Sequence, residues 1–186
     1  MDTKLIISNT NHIDLIGEKV WNNVDILIDN NKISEIRLHK NNENKNIYNI
    51  DGTGKFTLPG LFENHTHLTI LTKQNDEVKE EILNECGIDS ADGTLEELVL
   101  REFVDHGITQ IRDLGGPVDT LKTMTENISN NKYTGPDIFY SGPMLQKYAS
   151  ADQGSNARWP GFNVGVDSES EAKKLSGIFP ITVPRW

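Results

Sequence analysis

A chain of 186 residues carries 18 Lys and Arg against 28 Asp and Glu, for a formal net charge of −10, with 35% hydrophobic and 25% charged residues. That length and mix suit one globular domain or one and a half. The negative balance argues against nucleic acid or an anionic membrane as partner, since both need clustered Lys and Arg. The single Cys86 excludes an intrachain disulfide framework and fits a reducing compartment. No apolar run is long enough to span a bilayer, and Leu5-Ile6-Ile7 is too short for the apolar core of a signal peptide. The expectation is a soluble, cytoplasmic protein.

The first third reads as β structure. Lys4 to Ser8 is one short strand, and Val24-Asp25-Ile26-Leu27-Ile28 is another. Asn30-Asn31 closes the second, and Ile33, Ile36 and Leu38 follow, so a β-hairpin is predicted. Asn41 to Asn46 is a polar loop, Ile47 to Ile50 alternates again, and Asp51-Gly52 turns the chain. A small, half-buried sheet unit over residues 1–58 results. Pro59-Gly60 then marks a handover to a second unit.

Beyond it the period changes. Glu77 to Glu85 looks helical, and its acids read as a solvated face. Thr94 precedes Glu97 by three residues, a capping-box spacing. Leu95, Leu98, Val99 and Phe103 form a helical stripe that Gly107 ends. Ile108 to Ile111 is a β-branched strand running into Arg112-Asp113-Leu114-Gly115-Gly116-Pro117. A helix from Asp119 to Ile128, a strand Ile138-Phe139-Tyr140, a long loop from Met144 to Gly165 and a helix from Ser168 to Leu175 complete the order. Strand, helix, strand, helix, strand is the pattern of parallel βα units.

The chemistry sits at the strand ends, where parallel α/β folds gather functional groups. His65 and His67 in Leu58-Pro59-Gly60-Leu61-Phe62-Glu63-Asn64-His65-Thr66-His67 are two apart, so on an extended backbone both imidazoles point to one side. Two neutral imidazoles suit zinc or a similar borderline metal. Arg112-Asp113 ends the next strand, and Tyr140-Ser141 the one after. Blander roles are expected for most of the rest. Arg112-Asp113 reads as a structural ion pair, Tyr140 and Ser141 as strand-end core, His106 as a helix cap, and His12 and His39 as surface residues. Cys86 has no His near it in sequence, so a catalytic thiol is not expected.

Taken together these segments resemble the amidohydrolase superfamily. Thr57 to His67 looks like its first barrel strand. Gly107-Ile108-Thr109-Gln110-Ile111-Arg112-Asp113-Leu114-Gly115-Gly116 resembles the second strand of the imidazolonepropionase-like and Xaa-Pro dipeptidase-like branch, and Gly135-Pro136-Asp137-Ile138 with Ser141-Gly142-Pro143-Met144-Leu145 its third. Ile50 to Lys55 matches the approach to the barrel. The resemblance covers about residues 3–175. It implies an α/β fold, a (β/α)8 TIM-like barrel beside a small β-sandwich built from both chain ends. It implies one or two divalent metals, usually zinc, and water-driven cleavage of a C–N bond in a small-molecule substrate, such as an amide, dipeptide or cyclic amide. His65 and His67 map onto the first-strand metal ligands. No catalytic residue beyond them is assigned.

Two departures stand out. Glu63 occupies a position where the family usually has Asp, and the period of two places it on the face of His65 and His67. The family's other ligands, a carboxylated Lys, two His and an Asp, belong to later strands, and a full barrel takes about 250 residues. Where the fourth strand is expected, Ser176 to Trp186 carries prolines at 180 and 184, poor residues for a central strand. Residues 59–175 are therefore expected to be the first βα units of a barrel, and 176–186 an atypical tail on a shortened chain. The alternative is an inactive fragment or association module, because three strands cannot close a barrel and leave an edge open to another copy of the chain.

Overall fold

The computed structural model describes residues 4–41, 47–72, 76–85, 87, 93–147 and 161–177. The chain divides into two compact units, Met1–Pro59 and Gly60–Trp186.

In the first unit β1 (Lys4–Asp14) and β2 (Lys19–Asp29) pair antiparallel. Both strands run beyond the apolar stretches that announced them. Their polar halves stay paired because the register shifts between Ile7 and Thr10 and again before His12. Asn9 and Asn23 lie at this irregularity with φ of 55° and 52°, a left-handed conformation that Asn tolerates better than most residues. Asn30 and Asn31, at φ 50° and 60°, make the expected tight turn into β3 (Lys32–Leu38). β4 (Tyr48–Asp51) and β5 (Phe56–Thr57) both run parallel to β1, giving the order β3-β2-β1-β4 with β5 also on β1.

Register then sorts the side chains. Leu5 pairs with Ile28 and Tyr48, Ile28 with Ile33, and Ile26 with Ile7 and Ile36. In-register neighbours share a face, so these residues form one apolar surface. Val24 and Ile26 at its centre are buried, while Ile33, Leu38 and Tyr48 at its margins are exposed. Asp25 is fully buried. Its Oδ1 accepts from the Asn9 N–H at 3.0 Å and meets His39 Nδ1 at 2.6 Å, and its Oδ2 accepts from the Lys40 N–H at 3.2 Å. His39 is thus a half-buried partner of a core carboxylate rather than the surface residue expected. His12 differs likewise, since its Nδ1 is buried.

The second unit holds a parallel sheet in the order β6 (Leu61–Thr66), β7 (Ile108–Asp113), β8 (Asp137–Tyr140). Gly60 is needed at its start because a Cβ there would collide with the Thr109 side chain. Between β6 and β7 come α1 (Leu68–Thr72), α2 (Asp76–Glu85) and α3 (Leu95–Asp105), and between β7 and β8 comes α4 (Val118–Ser129). α3 begins as its capping box requires, with Thr94 Oγ1 accepting the Glu97 N–H at 3.3 Å. It ends at His106, whose Nδ1 lies 2.8 Å from the Glu102 carbonyl, followed by Gly107 at φ 79°. On α2, Glu77, Glu80, Glu81 and Glu85 face solvent and Leu83 is buried.

The core lies between sheet and helices. Ile111, Ile138 and Tyr140 from β7 and β8 pack with Leu68, Leu100, Leu121 and Met124. Leu95 and Leu98 join Leu83 in a smaller cluster. The predicted stripe on α3 therefore serves two clusters, with Leu100 added to the larger one. Tyr140 takes the core role expected of it.

The long loop expected from Met144 to Gly165 is a correction. Its described ends form β9 (Met144–Lys147) and β10 (Asn163–Val166), paired parallel from Met144↔Asn163 to Lys147↔Val166. Neither four-residue stretch has a periodicity of its own; each is a strand through its partner. α5 (Glu169–Ser176) follows, capped by Ser168 Oγ, which accepts the Glu171 N–H at 3.2 Å. Cys86, residues 42–46 of the polar loop, residues 148–160 and the stretch 178–186 of the expected tail lie outside the described residues. Among the described residues no helix is long and apolar enough to cross a membrane.

Candidate metal centre

β6 delivers His65 and, one residue past its end, His67. Their Nε2 atoms lie 3.3 Å apart, with ring centroids at 5.1 Å and the planes nearly perpendicular. At that distance one imidazole can donate its N–H to the other. The spacing also matches a shared metal, because ligands about 2.0–2.1 Å from a tetrahedral zinc sit about 3.3–3.4 Å from each other. The two residues present thus fit two positions of a tetrahedral donor set. Among the described residues no third His, Cys, Asp or Glu joins them in a cluster able to hold a metal.

The simple alternation that predicted this convergence is broken underneath it. Glu63 pairs with Ile111 and Thr66 with Asp113, so the register slips between Glu63 and Thr66. Glu63, expected on one face with the two histidines, instead aligns with Ile111 and Ile138. Its Oε1 accepts the His65 N–H at 2.9 Å. Glu63 thereby secures the backbone of His65 beside the irregular step.

Asp113 joins the three strand ends. It is fully buried, and its carboxylate accepts the Leu68 N–H at 2.7 Å and the Gly115 N–H at 3.0 Å. Its own carbonyl accepts the Ser141 N–H at 3.1 Å, while the Thr66 carbonyl accepts the Leu114 N–H at 3.0 Å. Burial pushes the Asp113 carboxyl above the usual range; the two N–H donors and the nearby His67 act against that shift without cancelling it. The ion pair expected between Arg112 and Asp113 is not formed. Consecutive strand residues project to opposite faces, and Arg112 lies in register with Phe139, whose ring packs on Phe62 at 5.4 Å.

Two neighbours of His67 escaped the sequence reading. The Phe162 ring stands edge-on to the His67 ring at 5.0 Å between centroids. Gly115 lies beneath both: a Cβ there would come within 3.4 Å of His67 Nδ1 and 3.2 Å of Phe162 Cζ. The Gly115-Gly116 pair was visible as a loop signal, but nothing local tied Phe162 to a histidine so far back in the chain.

No protein-family model matches the chain. A curated 5-methylthioadenosine/S-adenosylhomocysteine deaminase from Carboxydothermus hydrogenoformans (strain ATCC BAA-161 / DSM 6008 / Z-2901) is 42% identical over 67 residues, which are 36% of this chain and 15% of that protein. Among solved structures, an amidohydrolase is similar with a TM-score of 0.69 and 20% identity, over 95% of this chain and 44% of its own. A prolidase complexed with N-methylphosphonate-L-proline is similar with a TM-score of 0.66 and 20% identity, over 94% of this chain and 45% of its own. The chain thus spans less than half the length of each of these proteins. Its described residues have the fold of the corresponding part of those structures, and the resemblance to the amidohydrolase superfamily read from the sequence holds at that level.

Proposed function

We propose that His65 and His67 are two ligands of a divalent metal, zinc by the chemistry of paired imidazoles, in a hydrolase that cleaves a C–N bond of a small molecule. The observation that carries this reading is the 3.3 Å approach of their Nε2 atoms. The chemistry such an ion supplies when bound is polarisation of the scissile carbonyl and a lowered pKa for a bound water. The chain's own residues do the rest. Glu63 fixes the backbone of His65, Asp113 fixes Leu68 beside His67, and the end of β6 brings the two rings together. A catalytic zinc takes three protein ligands and one open position, so further donors come from outside the described residues.

In this reading β6, β7 and β8 are the first strands of a (β/α)8 barrel, the Met1–Pro59 unit is one part of a composite β-sandwich, and the lone Cys86 fits a reducing, cytoplasmic setting. Likeness in fold to an amidohydrolase and a prolidase supports hydrolysis, and the deaminase relative is by name an enzyme that acts on a C–N bond as well. The test is metal stoichiometry of the purified chain, together with turnover of a panel of dipeptides and cyclic amides with and without zinc. Stoichiometric zinc lost in His65→Ala, with zinc-dependent turnover, supports the reading. A chain that takes up no zinc and drifts from monomer to aggregate favours the inactive fragment instead.

A further inference from the structure

We propose that Phe162 is the positioning residue of His67, holding the imidazole by packing where a metal-bound histidine ordinarily relies on a hydrogen bond. The proposal rests on the metal reading of His65 and His67. A ligating histidine usually donates its second ring N–H to a carboxylate, a carbonyl or water, which fixes the ring's orientation. His67 Nδ1 is buried and, among the described residues, has no hydrogen-bond partner.

Besides His65, Phe162 and Gly115 stand against that ring. Phe162 is 4% exposed and meets it edge-on, at 63° between planes. Gly115 lies against the same ring with bare backbone, and a methyl group there would press on the Phe162 ring at 3.2 Å while touching His67 Nδ1 at 3.4 Å. The slot is built from well-anchored parts. The Gly115 N–H is held by the buried Asp113, and the Phe162 carbonyl accepts the Met144 N–H at 2.9 Å where β9 and β10 begin to pair. Pairing of β9 with β10 therefore sets the Phe162 ring against the His67 ligand. An aromatic edge and a glycine leave that imidazole one aim, toward His65.

The test compares zinc affinity, by competition with a chromophoric chelator, in the wild-type chain and in Phe162→Ala, Phe162→Leu and Gly115→Ala. Losing a group that orients a metal-bound histidine typically weakens metal binding about 10- to 100-fold, and Phe162→Ala is expected to show about tenfold. Its His67 ring signals in NMR should broaden or multiply while those of His106 stay unchanged, a readout that loss of stability alone would not give. Phe162→Leu should recover part of the affinity. Gly115→Ala should weaken zinc although Phe162 is intact, and the two effects should not add, since they act on one slot. Zinc bound equally by the wild-type chain and Phe162→Ala but lost in His67→Ala overturns this proposal and leaves the metal reading standing. So does Gly115→Ala binding zinc like wild type while Phe162→Ala unfolds. No zinc on the wild-type chain overturns both.

Discussion

Two buried aspartates show how the same residue type is put to opposite electrostatic ends. Burial acts to raise the Asp25 carboxyl, but the His39 imidazole and the N–H groups of Asn9 and Lys40 outweigh it and hold it below its ordinary value. A depressed carboxyl contributes stability above its unfolded pKa of about 3.9, lost as pH falls through the lower folded value. Acid urea titrations should therefore show a fall in midpoint that becomes shallower in Asp25→Asn. Asp25→Ala should cost about 1–3 kcal/mol or more, because buried N–H donors lose their acceptor. Asp113 has the reverse sign. Its folded pKa is raised by burial, so its contribution is most favourable at low pH and declines as pH rises from the unfolded pKa through the folded one. Asp113→Asn removes that dependence but keeps only one acceptor for two N–H groups. We expect it to lower stability by about 1–3 kcal/mol near neutral pH, measured by denaturant unfolding. Neither role was legible in the sequence. Asp25 sits in an apolar strand run and Asp113 beside an Arg that invites an ion-pair reading.

At the scale of elements, α3 was the most legible and β9–β10 the least. α3 carries its own start signal in Thr94 and Glu97, its apolar stripe, and its stop at His106-Gly107. Those features act within a few residues of one another. Thr94→Ala should destabilise the helix by about 1 kcal/mol through the lost cap. Leu100→Ala should cost about 2–5 kcal/mol, because Leu100 is fully buried against both strand and helix neighbours. The difference between the two thermal midpoints checks the ranking. β9 and β10 lack any such local signal. Their hydrogen bonds join Met144–Lys147 to Asn163–Val166, and a pairing across that distance in the chain leaves no pattern within either segment. The slip between Glu63 and Thr66 was hidden for a related reason, since register belongs to a pair of strands.

At the scale of the whole molecule, the two units have separate cores. Val24, Ile26 and Asp25 lie in one, and Leu100, Ile111, Leu121 and Ile138 in the other. If substitutions in the two units do not couple, their effects should add within about 0.5 kcal/mol. Hydrogen exchange checks this directly. Asp25→Ala should accelerate exchange in β1 and β2 and spare β7 and β8, and Leu100→Ala should do the opposite. Equal acceleration of all four strands in both variants would show that the units unfold as one.

The sequence by itself determined the alternation of strands and helices, the tight turn at Asn30-Asn31, the cap of α3 and the pair His65 and His67, with the resemblance that gives the pair meaning. Each depends on periodicity, spacing or turn chemistry within a short stretch of chain. Only the tertiary structure decided what surrounds the pair. The register slip between Glu63 and Thr66, the Leu68 N–H that Asp113 accepts and the Phe162 ring against His67 all depend on residues distant in sequence. A motif can specify which donors a strand carries. Their aim is set by the neighbours that packing brings to them, and packing is a property of the folded chain.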